Sequence, residues 1–429
     1  MNLEGKHRIE KLQIPVIMLL MTVYPLLFIP EKGTYTAFLR WMILIVLALI
    51  GLCTFIFNRG VPNTKCYFPL SVFIGFVLLS ALFSNYQSEA WIGAIYRFTG
   101  FLSYLAFIIM FLLAVKTAAG SPDQSRKILN GWMLFASIIA VIGIMQYLGL
   151  NILAVGTEEQ FAPIKSSATI GNSNHFATFM LMAFPFACIG FLRESTPQSV
   201  VILSLIYAAV LTSLCRSAWI GAAVGYLVLC YYYVKTYTRQ VLKLTTLLVV
   251  VTIVLSPVND WRLIKQAFSF MYEADLALEG DPEAGSARFL LWEEGLKALP
   301  GSLIIGTGPD SYTHIAPERF EARFGDNYYA KAHNIFLEIA VTMGIPALVS
   351  YLYFLMCIYK RLSRQDHQEF AFRLMIIIYL VQGFFLVDVI AVYPLFWVLL
   401  GLGSGTALRK NSYCLKFNTA LNHTGGQHL

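Results

Sequence analysis

The chain has 429 residues, of which 58% are hydrophobic and 13% charged, with a formal net charge of +7. Soluble domains average roughly 25% charged residues, so one aqueous core could not hide this much apolar surface, and lipid must be the solvent for most of the chain. The Lys and Arg residues fall between apolar runs, which argues for membrane topology and against a nucleic-acid partner.

A spanning helix needs about 20 apolar residues at a rise of about 1.5 Å each. Apolar runs predict helices at 14–30, 36–57, 67–84, 98–116, 129–150, 173–192, 199–213, 217–234, 241–256, 334–358, 371–388 and 391–408. The predicted fold class is thus all-α: a polytopic membrane protein of about twelve transmembrane helices. The seventh run is short. The last two nearly touch, as a tight hairpin or a re-entrant feature would. The run from Ile14 to Ile29 is followed by Glu31 and Lys32 and by no small-residue cleavage site, so it predicts a retained first helix.

Nine spans fill residues 1–256, a long extracytoplasmic loop covers 257–333, three spans occupy 334–408, and 409–429 form a tail. With the N-terminus inside, the cytoplasmic turns carry Lys6, Arg8 and Lys11; Arg59 and Lys65; Lys116, Arg126 and Lys127; Arg193; Lys235, Arg239 and Lys243; Lys360, Arg361 and Arg364; and the tail Arg409, Lys410 and Lys416. The short outer loops carry Lys32, Arg97, Lys165 and Arg216. This is the positive-inside asymmetry of a cytoplasmic (inner) membrane protein with both termini cytoplasmic. The seven cysteines make no CxxC pair, so no disulfide framework or metal site is readable.

Within the long loop, Trp261 to Leu278 and Ala287 to Leu299 show helical apolar spacing, separated by the turn-rich Glu279–Gly285. A loop of this length with aromatic content predicts a functional element rather than a linker. Gly306 and Gly308 lack the strand–turn–helix setting and the Lys-Ser/Thr pair of a nucleotide loop.

Three cationic or titratable residues are predicted at one level of the outer face. Arg216 lies in Leu214-Cys-Arg-Ser-Ala-Trp219, Arg288 opens the second loop helix with Trp292 one turn on, and His333 lies in Lys331-Ala-His-Asn334. Arg216 is either a snorkelling residue at a helix end or an anion site, since its guanidinium fork matches phosphate oxygens and stays charged. Arg288 is either part of a solvated face, paired with Glu283 or Glu293, or a second anion contact. His333 is either an interfacial histidine or a general base near neutral pH. Glu338, an acid in a membrane helix, either faces His333 or lines the bundle. In Thr169-Ile-Gly-Asn-Ser-Asn-His175, Asn172, Asn174 and His175 suit helix capping or sugar hydroxyls, and Arg97 in Tyr96-Arg-Phe-Thr-Gly100 is an outer flank or a further anion contact.

Taken in order, Gly171-Asn-Ser-Asn-His-Phe-Ala177, Arg216-Ser-Ala-Trp219, Arg288 with Trp292, Pro300 leading to Gly306-Thr-Gly308, and His333-Asn334 followed by Gly344 resemble the O-antigen ligase and O-antigen polymerase superfamily of bacterial envelope proteins. The resemblance is clearest over 170–345. It implies a membrane glycosyltransferase of cell-surface polysaccharide biosynthesis that moves a glycan from an undecaprenyl-diphosphate carrier on the outer face to a lipid, glycan or protein acceptor. No metal, cofactor or nucleotide sugar is implied. Arg216 and Arg288 would hold the diphosphate, and His333 would activate the acceptor hydroxyl or orient the site. Asn172, Asn174, Arg97, Trp292, Asn334 and Glu338 would complete the substrate site. A transporter or lipid-glycan flippase is the competing class, and it should place ionisable groups near the bilayer midplane in broken or repeated helices.

Overall fold

The computed structural model describes residues 12–29, 33–57, 62, 64–150, 165–278, 288–325 and 331–424. The turn at 279–285, Glu283 with it, and the basic residues before Leu12 lie outside them. Among the described residues the regular structure is helical and no strand occurs. Helices α1 (Gln13–Thr22), α2 (Gly33–Phe57), α3 (Tyr67–Phe83), α4 (Gln87–Trp91), α5 (Phe101–Gly120) and α6 (Pro122–Tyr147) lead into α7 (Ser173–Arg193), α8 (Pro197–Thr212), α9 (Arg216–Tyr233) and α10 (Thr238–Leu255). The long connection contributes α11 (Val258–Leu278), α12 (Arg288–Ser302) and α13 (Pro317–Phe324), before α14 (Ile335–Met343), α15 (Ile345–Arg361), α16 (His367–Gly383) and α17 (Tyr393–Thr424). Several starts follow from local chemistry. Ser121 and Thr196 cap α6 and α8, each followed by a proline whose missing N–H costs nothing in the first turn.

Five of these helices, α2, α5, α6, α7 and α10, are long and apolar enough to cross a membrane, and shorter apolar helices accompany them. The chain is a helical integral membrane protein. Between helices in lipid the hydrophobic drive is weak, so close backbone approach matters more. The most extensive pair, α5 with α17, shows this. A Cβ on Gly401 or Gly405 would stand 2.4 Å from the Phe111 or Val115 carbonyl oxygen, so only glycine lets α17 lie this near α5. Around that seam Trp397 is fully buried among the rings of Phe107, Phe111 and Phe354.

The run at 334–358 is two helices rather than one. Gly344 breaks it at φ +92°, where an added Cβ would meet the Ile304 carbonyl oxygen at 2.2 Å. The incoming segment fills the break. Thr307 N–H donates to Val341 O at 3.1 Å, Gly308 N–H to Thr342 O at 2.9 Å, and Ile345 N–H to Leu303 O at 2.8 Å. These bonds satisfy groups that a helix end leaves open. The last two apolar runs are separate helices joined by 384–392, a non-helical stretch whose Leu386, Val387 and Ile390 are buried. Irregular backbone is tolerated there because protein covers it.

Helix α7 fixes the two ends of the bundle. It begins beside His175 and finishes at Arg193, roughly 30 Å away by helical rise. Thr212 pairs with Ser166 at the His175 end. Arg126, Asp366 and Lys410 lie toward the Arg193 end, where Lys410 is ion-paired to Asp366 and Glu369.

Candidate active site at the His333 end

The site is organised by a buried ion triad. Lys331 Nζ lies 2.6 Å from Asp310 Oδ1 and 3.1 Å from Glu338 Oε1, with all three side chains buried. Lys331 also donates to Thr99 Oγ1 at 3.1 Å. The other carboxylate oxygens bind backbone. Asp310 Oδ2 accepts from Ala94 N–H at 2.8 Å and Thr99 N–H at 3.1 Å, and Glu338 Oε2 accepts from Ala332 N–H at 2.8 Å. One cation thus ties together the loop carrying Arg97, the turn carrying His333 and the first turn of α14. Burial alone would lower the Lys331 pKa. The two carboxylates outweigh it and hold the ammonium above its ordinary value.

Left-handed backbone gathers at the same place. Tyr96, Phe98, Asp310 and His333 have φ of 76°, 50°, 63° and 47°. Each non-glycine residue there costs on the order of 1–3 kcal/mol and persists only where the surroundings over-determine it, as functional sites do. The triad supplies that constraint on both sides of Arg97 and before His333.

The His333 imidazole is half-buried, and its Nδ1 is buried with no hydrogen-bond partner among the described residues. Burial, then the charges of Arg288, Arg97, His175 and Lys331, push its pKa down to about 3. The ring is therefore neutral at physiological pH, in a positively charged pocket. Trp292 sets Arg288 beside it. The indole Nε1–H donates to Ala332 O at 2.8 Å, which pins the first turn of α12 to the His333 turn. The outer segment has an apolar cluster of its own, Leu291, Tyr312, Phe320, Ala332 and Val341. The Tyr312 hydroxyl donates to Leu291 O at 2.6 Å. This segment is a folded element packed on α14.

The two asparagines before helices act as caps. Asn172 Oδ1 accepts from Asn174 N–H at 2.9 Å and His175 N–H at 3.4 Å. Asn334 Oδ1 accepts from Phe336 N–H at 2.9 Å and Leu337 N–H at 3.1 Å. Asn174 lies half-buried in the first turn of α7. Glu338 faces Lys331. Beneath the Asn172 turn, buried Arg40 of α2 donates to Thr169 O at 2.8 Å, Ile170 O at 3.3 Å and Leu27 O at 2.7 Å. Arg40 thereby fixes the turn that carries His175.

Arg216 opens α9 just after Leu214, which has φ +54°. Its Nη1 reaches Ser269 Oγ of α11 at 3.5 Å, and Gln266 of α11 donates to Leu214 O at 3.1 Å. The structure therefore sets Arg97, Arg288 and His175 within electrostatic reach of His333, and Arg216 at the α9–α11 junction at the same end of the bundle.

Lys331, Asp310, Thr99 and Arg40 carry this geometry and were not among the sequence candidates. Lys331 and Asp310 do stand inside motifs already noted, beside His333 and after Gly306-Thr-Gly308. Their pairing joins positions twenty-one residues apart in sequence, so spacing alone gives no sign of it.

No curated protein matches the chain. Residues 200–352 match the family described as O-Antigen ligase, a stretch that contains Arg216, Arg288, Asp310, Lys331, His333 and Glu338. The match over this stretch supports a place in the O-antigen ligase and polymerase superfamily, whose general activity is glycan transfer.

Proposed function

We propose that this protein transfers a glycan from an undecaprenyl-diphosphate carrier to an acceptor hydroxyl at the outer face of the cytoplasmic membrane, as a ligase or a polymerase. In this reading the chain crosses the membrane about twelve times, both termini are cytoplasmic, and the His333 end faces outward. The observation that carries the proposal is the convergence of Arg288, Arg97, Lys331 and His175 on one neutral imidazole, inside the matched domain.

In the transfer, the acceptor oxygen bonds to the anomeric carbon and its proton passes to His333. The bond from that carbon to the diphosphate oxygen breaks, and the electron pair leaves with the diphosphate. Charge grows on the leaving group, so guanidinium groups fixed in advance at Arg288, Arg97 and Arg216 stabilise the transition state more than the ground state. A histidine with a pKa of about 3 is a weak base. Burial is the largest cause of that depression and stays in place, but a bound diphosphate offsets the cations that add to it and so raises the base. The base then becomes competent only when the donor is in place.

An apolar crevice of about 350 Å³ runs along α9 below Arg216, lined by Trp219, Ala222 and Tyr226 of α9, with Tyr207 and Thr252 across from them. It suits part of a polyprenyl chain whose diphosphate is held at Arg216. Asn174 and Trp292 remain candidates for sugar contacts. Asn172, Asn334 and Glu338 would act through the backbone they hold.

The test uses purified protein and an undecaprenyl-diphosphate-linked oligosaccharide, with the size of the products read out. A ladder of longer lipid-linked chains makes the protein a polymerase, and carrier release only with a separate acceptor makes it a ligase. Arg216→Ala should abolish transfer, and Arg216→Lys should be poor because a point charge cannot replace a bidentate fork. Absence of turnover in folded protein with every acceptor tried would overturn the proposal in favour of a transporter.

A further inference from the structure

A large cavity lies at the other end of the bundle and has no part in the proposed chemistry. It is a groove of about 1140 Å³ between α6, the end of α7 and the start of α8. Its lining divides in two. Toward the ends of the helices are Arg126, Asn130, Arg193 and Ser199, and deeper along α6 come Ile138 and Val141. The polar mouth also holds the first turn of α8, a helix of 16 residues whose Thr196 cap accepts only the Ser199 N–H. Pro197 has no N–H and Val200 N–H donates to Thr196 O at 3.1 Å, so it is the helix dipole that favours an anion there.

Both α6 and α7 are apolar and long enough to cross a membrane, so the deep part of the groove lies at hydrocarbon depth and cannot hold water stably. What fills it must be apolar over most of its length and polar at the mouth. At that mouth two guanidinium groups stand against one carboxylate, Glu194. We infer that the groove is a binding site for one anionic phospholipid, with its phosphate between Arg126 and Arg193 and an acyl chain along Ile138 and Val141. The site is some 30 Å from His333 by the length of α7 and does not depend on the glycan-transfer reading.

The test is native mass spectrometry of protein released from nanodiscs of equal parts phosphatidylglycerol and phosphatidylcholine. The wild-type protein should retain phosphatidylglycerol over phosphatidylcholine by about tenfold, the size of effect expected of two interfacial arginines partly offset by one acid. The Arg126→Gln/Arg193→Gln double variant should fall to near parity. Leu134→Trp, which narrows the groove and leaves both arginines, should lose retention of either lipid. Equal retention of the two lipids by the wild type, or an unchanged preference in the double variant, would overturn the inference.

Discussion

Lys331 and Asp310 form a buried ion pair at 2.6 Å, and the same ammonium holds Glu338. Removing the cation would leave two carboxylates facing each other away from solvent. Breaking a buried pair from one side costs about 3–5 kcal/mol. Lys331→Met should therefore lower the melting temperature sharply and abolish activity. The triple variant Lys331→Met/Asp310→Asn/Glu338→Gln should regain much of the stability and none of the activity, because no charge then fixes the Arg97 and His333 turns. Thermal unfolding in detergent, read beside turnover, checks both parts.

Trp292 acts through its N–H. Trp292→Phe keeps a ring against Phe289 and Phe384 but leaves Ala332 O without its donor. The expected stability loss is about 0.5–1.5 kcal/mol. Turnover should fall by more than this, since α12 and Arg288 are no longer held to the His333 turn. A comparison of kcat with melting temperature separates the two effects.

The depressed His333 pKa gives a sign to the pH dependence. Between its ordinary value and about 3, the unfolded chain binds a proton that the folded chain excludes. Stability from this residue is complete above the ordinary histidine value and declines as the pH falls through that window. His333→Asn should flatten that slope. In kinetics, the acid limb of kcat should sit at higher pH than that of kcat/KM, because kcat reports the donor-bound enzyme. Coincident limbs would contradict the idea that the diphosphate raises the base.

At Gly344, φ is +92° and the Ile304 carbonyl oxygen lies where a Cβ would go. Gly344→Ala should cost more than the roughly 1–3 kcal/mol of positive-φ strain alone, and should part segment 303–308 from the end of α14. Protease sensitivity of that segment is the measurement.

These four cases also mark what the sequence could and could not disclose. Apolar runs placed most helices because lipid demands them, and Arg97, Arg216, Arg288 and His333 fell at one end because alternating spans put them there. The apolar run at 334–358 predicts one continuous helix through Gly344, because a single glycine in such a run does not announce a break. Its signal is a remote carbonyl. The family resemblance implies a substrate role for Glu338 and Asn334, whereas their visible partners are Lys331 and the first N–H groups of α14. Arg40 carries no motif that marks it in the sequence. The three carbonyls it binds come from two distant turns. Short-range chemistry was legible, and long-range pairing was not.

The central claim is that His333 takes the acceptor proton in glycan transfer. The most direct measurement is release of undecaprenyl diphosphate from a lipid-linked oligosaccharide by purified wild-type and His333→Ala protein of matched melting behaviour. The account predicts a loss of about 10²–10⁴-fold in kcat for the variant, the usual scale of a general base, with donor binding retained. Wild-type turnover in folded His333→Ala protein would contradict it.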